Sequence, residues 1–149
     1  MRKYLLLFVI LATFNSCNDS DCDLYSTGPP ITYVELVDSD TGENIFTSGE
    51  YQYTDIEVVN AEGETVTSDF IYENDYNIIR FIPYTYSSSN VIFIKVEDNI
   101  NEDDINVKIT FDIKKVETEC YTNYYIENLE VENYLSETDA NTGLLTIKV

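Results

Sequence analysis

The feature that most constrains this chain is a period of two. Val107, Ile109, Phe111 and Ile113 alternate with Lys108, Thr110, Asp112 and Lys114. Successive side chains of an extended strand point to opposite faces, so this spacing gives one apolar and one polar side. A helix would scatter the same residues around its circumference. Alternation of this kind recurs along the chain in segments rich in Val, Ile, Thr, Tyr and Phe, and no long segment carries a helical stripe.

Turn chemistry sets the expected strand boundaries. Gly28-Pro29-Pro30 resists ladder pairing and precedes a strand from Ile31 to Val37. Asp38-Ser39-Asp40-Thr41-Gly42-Glu43 reads as a turn, with Asn44 to Thr47 as a short return that Ser48-Gly49-Glu50 ends. Further strands are expected over 54–60, 65–72, 76–82, 91–97, around 107–114 and over 144–149; the apolar stretch 76–82 should lie centrally. Residues 84–90 and 98–104 read as polar and acidic loops, and 121–132 fit either a strand or a short helix. About eight or nine strands at such spacing predict a single all-β domain over 31–149, an antiparallel β-sandwich, with a small β-barrel as the alternative.

The N-terminus carries a second signal. Arg2 and Lys3 precede an apolar run from Tyr4 to Phe14, followed by small and polar residues and then Cys17. That order is a secretory signal. The run is about 11 residues, short of the roughly 20 that a spanning helix needs. Ser16 followed by Cys17 resembles a bacterial lipobox, in which the cysteine is lipidated and becomes the new N-terminus. Phe14 and Asn15 depart from the Leu and the Ala or Ser of the usual box. The expectation is a signal peptide over 1–16, a lipidated acidic tether over 17–30 and an outer-membrane lipoprotein. The run Asn18-Asp19-Ser20-Asp21-Cys22-Asp23 looks like the acidic export signal that sends Bacteroidetes lipoproteins to the outer face of that membrane.

Charge narrows the partners. The chain has 28 acidic and eight basic residues, and without the leader its net charge is 6 − 28 = −22. So negative a surface repels nucleic acid and anionic membrane and suits divalent cations or a basic partner. An apolar content of 44% and an aromatic content of 13% argue against disorder. With Cys17 lipidated, Cys22 and Cys120 remain, an even pair that predicts a disulfide in an oxidising compartment. It would close a loop of about 98 residues and contribute roughly 4–5 kcal/mol in the chain-entropy view.

Catalytic signals are sparse. The absence of His and Trp excludes a Ser-His-Asp triad, a Cys-His pair and His-based zinc sites. No glycine-rich phosphate loop is present. Paired carboxylates would serve a glycoside hydrolase, but among so many acids some pair falls at any spacing by chance. Asp38, Asp40 and Asn44 place oxygens on alternate residues around Gly42, like the first half of a calcium loop, while the bidentate Glu expected later is replaced by Gly49. The same residues suit an ordinary hairpin turn. Tyr84, Tyr86, Tyr121 and Tyr124 lie in the densest tyrosine groups and are candidates for stacking on sugars; strand-face tyrosines with surface hydroxyls are the alternative.

Gly28-Pro29-Pro30, Glu35-Leu36-Val37-Asp38 and Thr41-Gly42-Glu43-Asn44-Ile45-Phe46 give roughly the first 60 residues a likeness. The chain resembles small Bacteroidetes lipoproteins of unknown function, in which a cysteine and a Pro-rich tether precede such a hairpin. The resemblance implies an exported β-sandwich, immunoglobulin-like or prealbumin-like, and carries over no catalytic residues. The expected function is a non-enzymatic envelope lipoprotein with a protein partner or structural role. A glycan-binding module and a carboxylate-based hydrolase are the alternatives.

Overall fold

A computed structural model of the chain describes residues 25–49, 51–73, 76–83, 89–97, 104–118 and 120–149. The strands are β1 (Tyr25–Ser26), β2 (Thr32–Val37), β3 (Ile56–Asn60), β4 (Ser68–Glu73) and β5 (Tyr76–Phe81), followed by β6 (Asn90–Val96), β7 (Ile105–Glu117), β8 (Tyr121–Glu132), β9 (Leu135–Thr138) and β10 (Leu144–Lys148). A 3-10 turn covers Tyr53–Asp55. The strands form two open sheets, ordered β1-β8-β7-β6-β3 and β4-β5-β2-β10-β9. Each sheet keeps two edges, so the architecture is a β-sandwich and the barrel alternative is not formed. The pairing is not wholly antiparallel: β1 runs parallel to β8 and β2 parallel to β10, joining strands far apart in sequence.

The alternation in β7 does what its spacing requires. Val107, Ile109, Phe111 and Ile113 face inward, with Val107 and Ile109 fully buried. β6 repeats the pattern through Ile92, Ile94 and Val96, and the opposite sheet supplies Val34, Leu36, Ile79, Phe81, Leu145 and Ile147 to the same cluster. The Phe81 and Phe111 rings meet across the sheets at 6.5 Å. Each such side chain, fully buried, contributes about 1.5–3 kcal/mol of hydrophobic stabilisation. On the solvent face, Glu57–Lys95 and Asp69–Arg80 are both directly opposed cross-strand pairs and ion pairs.

Several elements differ from expectation. The return Asn44–Thr47 shrinks to one bridge, Val37 to Asn44. Asn44 Oδ1 accepts the Phe46 N–H at 3.1 Å and the Asn44 carbonyl accepts the Thr47 N–H at 2.9 Å, so a local turn outcompetes the ladder. The strand expected at 65–72 starts at Ser68, because Asn60 Oδ1 accepts the N–H groups of Glu62 and Glu64 and draws residues 60–64 into a turn with Gly63 at φ 80°. Residues 121–132 are a strand. A bulge at Asn128, φ 53°, switches its inward parity from Tyr124 and Ile126 to Leu129 and Val131. β9 was not anticipated; it is an exposed edge with no buried face. Pairing also begins earlier than expected, since Tyr25–Ser26 lie in the stretch read as tether. Cys17, Cys22, the signal segment and most of the loops at 84–90 and 98–104 lie outside the described residues.

These pairings give the sandwich two distinct ends. β1, the start of β2, the end of β7 with the start of β8 and the loop before β10 share the end where the chain enters. Pro30, Thr32, Tyr124 and Leu145 meet there. The end of β2, the paired residues Glu73 and Tyr76 of β4 and β5 and the start of β7 lie at the far end, where Asp38, Ile45, Ile105 and Val149 meet.

Replacing Ile109 by Ala should cost about 2–5 kcal/mol in urea unfolding, because the cavity opens inside the packed interface of both sheets. Leu135→Ala on exposed β9 should stay within about 0.5 kcal/mol of wild type.

Candidate functional site

β4 is an edge strand, and its register with β5 sets Phe70 opposite Ile79 and Tyr72 opposite Asn77. Opposed residues share a face, so both rings stand on the inner side of the sheet. Ile79 and Asn77 lie deep, but among the described residues no strand flanks β4 on its outer edge in that sheet. Tyr72 is consequently 77% exposed. The chain between β2 and β3 must cross from one sheet to the other, and it passes this edge at the far end. It brings Phe46 edge-on against Phe70 at 5.0 Å, and Tyr53, from the 3-10 turn, flat against Phe70 at 5.5 Å and 16°.

The result is an open cleft of about 690 Å³, walled by Phe46, Tyr51, Tyr53, Phe70 and Tyr72 with Gln52, Glu73 and Asn77 as polar neighbours. Buried Asn77 holds the crossing segment in place. Its Nδ2 donates to Thr47 Oγ1 at 3.1 Å, and its carbonyl accepts from Asn44 Nδ2 at 3.0 Å. The volume falls within the range of small-ligand sites, and the mix of apolar walls with few polar groups is typical of them. Among the described residues Glu73 is the one carboxylate of the lining. Hydrolysis of a glycosidic bond by a carboxylate pair requires a second acid facing the first.

Of the tyrosines singled out from the sequence, the two that are described, Tyr121 and Tyr124, lie elsewhere. Tyr84 and Tyr86 lie outside the described residues. Tyr121 and Tyr124 sit on the first half of β8, at the entry end. Tyr121 is half-exposed, and Tyr124 packs on the core beside a smaller cleft of about 350 Å³. The cleft residues carried one signal in the sequence, the aromatic i, i+2 spacing of Tyr51 with Tyr53 and of Phe70 with Tyr72. That spacing also describes any strand-face pair, so only the crossing of the segment from β2 to β3 distinguishes it.

Two of the three candidate calcium residues, Asp38 and Asn44, spend their side chains on turn closure. Asp38 Oδ1 accepts from the Thr41 N–H at 2.7 Å, the Thr41 hydroxyl at 2.8 Å and the Asp40 N–H at 3.1 Å. Asn44 spends its amide on Asn77 and Glu35 and its oxygen on Phe46. Among the described residues no group of three or more Asp, Glu, His or Cys is arranged to hold a metal ion. The Asp38 turn has a twin. Asp139 Oδ1 accepts from Asn141 N–H, Thr142 N–H and Thr142 Oγ1 at 2.8, 2.8 and 3.0 Å. In both loops the following glycine, Gly42 or Gly143, donates back to the Asp carbonyl with φ near 72°. The shared pattern is Asp-x-(Asp/Asn)-Thr-Gly, and it closes a hairpin at each end of the sandwich.

Comparisons with protein-family models, with curated proteins and with solved structures find no match.

The two turns make a pH prediction. The N–H of Thr41, then its hydroxyl, hold Asp38 below the ordinary carboxylate value of 3.8, and the N–H groups of Thr142 and Asn141 do the same for Asp139. A lowered folded-state value stabilises the fold above the unfolded value and is lost as pH falls through the folded one. Wild type should therefore melt above the double variant Asp38→Asn/Asp139→Asn at neutral pH, with the difference closing only below pH 3.8. Calorimetric melts across that range check it; a difference independent of pH contradicts it.

Proposed function

We propose that this protein is a non-enzymatic, lipid-anchored module of a bacterial envelope, held to the outer membrane through Cys17, which presents the aromatic cleft to a partner. One observation carries this reading: the chain enters the sandwich at one end, and the cleft opens at the other. A module tethered close to a membrane and engaged with something beyond it needs that polarity. The anchor itself rests on the basic, apolar and small residues that lead to Cys17.

The parallel pairing of β1 with β8 supports the disulfide between Cys22 and Cys120. Tyr25 is in register with Tyr121, so the chain three residues after Cys22 runs beside the chain one residue after Cys120. That pairing brings together the two segments that carry the cysteines, as the Cα separation of less than about 7 Å in a disulfide requires. Such a bond would fasten the tether to the hairpin of β7 and β8 and leave only Asn18 to Asp21 between lipid and domain. Acidity throughout the surface disfavours nucleic acid as the partner.

Fractionation tests the anchor. Cys17→Ser should move the protein from the membrane to the soluble fraction; an unchanged distribution contradicts it. Mass mapping without reductant should find Cys22 and Cys120 joined in the exported protein, and two free thiols there would remove the disulfide.

A further inference from the structure

The far-end cleft has a charge character that an ordinary apolar groove lacks. Among the described residues its lining includes Glu73 and no Lys or Arg. Five of the six described basic side chains are occupied: Arg80, Lys95, Lys108, Lys114 and Lys115 each form an ion pair with an Asp or Glu. The acidic surplus is therefore left to set the field, and a cleft with low-dielectric walls focuses it. The rings act in the same direction. Tyr53 lies against Phe70 with one face and is 61% exposed, and Tyr72 is more exposed still. The face of an aromatic ring is the negative side of its quadrupole and attracts a cation placed over it.

Both terms select one sign of ligand. An anion is opposed by both. A neutral sugar gains ring surface but nothing from the field, and it needs convergent polar groups, whereas the Asn77 amide is already committed to Thr47. A lone ammonium headgroup fills little of about 690 Å³. A short peptide carrying a basic side chain uses the volume, the rings and the charge together.

We propose that this cleft binds a basic peptide segment of a partner protein, seating a Lys or Arg side chain on the Tyr53 and Tyr72 rings within the field of Glu73 at the rim of the cleft. The proposal rests on the reading of the protein as an interaction module and names the chemistry of its partner.

The test uses the full chain purified in an uncharged detergent. It is titrated by calorimetry with a blocked Gly-Arg-Gly peptide, the corresponding Glu peptide and a neutral trisaccharide. The Arg peptide should bind and the other two should not. Its affinity should fall as salt is raised, as screening of exposed charges requires. Tyr72→Leu keeps apolar bulk and removes the ring, and it should weaken binding roughly 2- to 30-fold, the span of one cation–π contact. Tyr72 is largely exposed, so the variant should melt as wild type does. Glu73→Gln should weaken binding and flatten its salt dependence, while Glu130→Gln, the same charge change on β8, should leave affinity within about twofold. Binding of the trisaccharide instead overturns the proposal and leaves the module reading in place. Arg binding that ignores Tyr72 and responds equally to Glu130 overturns it in favour of a diffuse charge cloud, and no binding by any probe also overturns it. Membrane fractionation of Cys17→Ser is independent of all these outcomes.

Discussion

The contact between the inward faces of β6 and β7 and the opposite sheet is what the rest of the structure depends on. Ile94, Val96, Val107 and Ile109 have almost no solvent exposure. A slip of one residue in β7 would turn Lys108, Thr110 and Asp112 inward, leaving charges buried and isoleucines in water. The register of the ladder is therefore set by burial, and the solvent-face ion pairs follow from it. Lys108 meets Glu132 because Ile109 must face the core, and Lys95 meets Glu57 for the same reason. Exposed pairs of this kind add little stability individually, but their agreement with the register adds to its specificity.

Once the two sheets are packed, the chain must pass between them, and the geometry of that passage makes the cleft. β2 ends in one sheet and β3 begins in the other, so residues 38–55 cross the far end. The Asp38 turn starts the crossing, Asn44 and Asn77 fasten it to β5, and Phe46 and Tyr53 close over Phe70. The rings serve packing and exposure together: Phe70 is covered from two directions, while the outer face of Tyr53 and most of Tyr72 remain available. Polar turn chemistry thus positions an aromatic surface at the end opposite the incoming chain.

Much of the fold was legible because its central strands obey one periodicity. β5, β6 and β7 alternate cleanly, and the Asp-x-x-Thr-Gly turn at 38–42 announced itself by composition. β8 was ambiguous for a definite reason: the bulge at Asn128 shifts the inward parity halfway along, so no single period fits 121–132. β9 buries nothing and leaves no pattern to read. The likeness between the Asp38 and Asp139 turns was hidden by their different neighbours. The cleft was the least legible feature. Its tyrosines have the spacing of strand-face residues, and their convergence depends on where residues 44–55 cross, which no local pattern encodes.

Polarity between the end where the chain enters and the cleft end is measured most directly by lipid-headgroup quenching on the protein in vesicles. A fluorophore is placed either at Thr118, in the turn after β7, or at exposed Glu43, after β2. β7 separates those levels by roughly 40 Å at about 3.3 Å per residue. Quenching should be strong at Thr118 and weak at Glu43. Equal quenching at both positions, or stronger quenching at Glu43, would mean that the domain lies on its side or inverted, with the cleft turned toward the membrane instead of away from it.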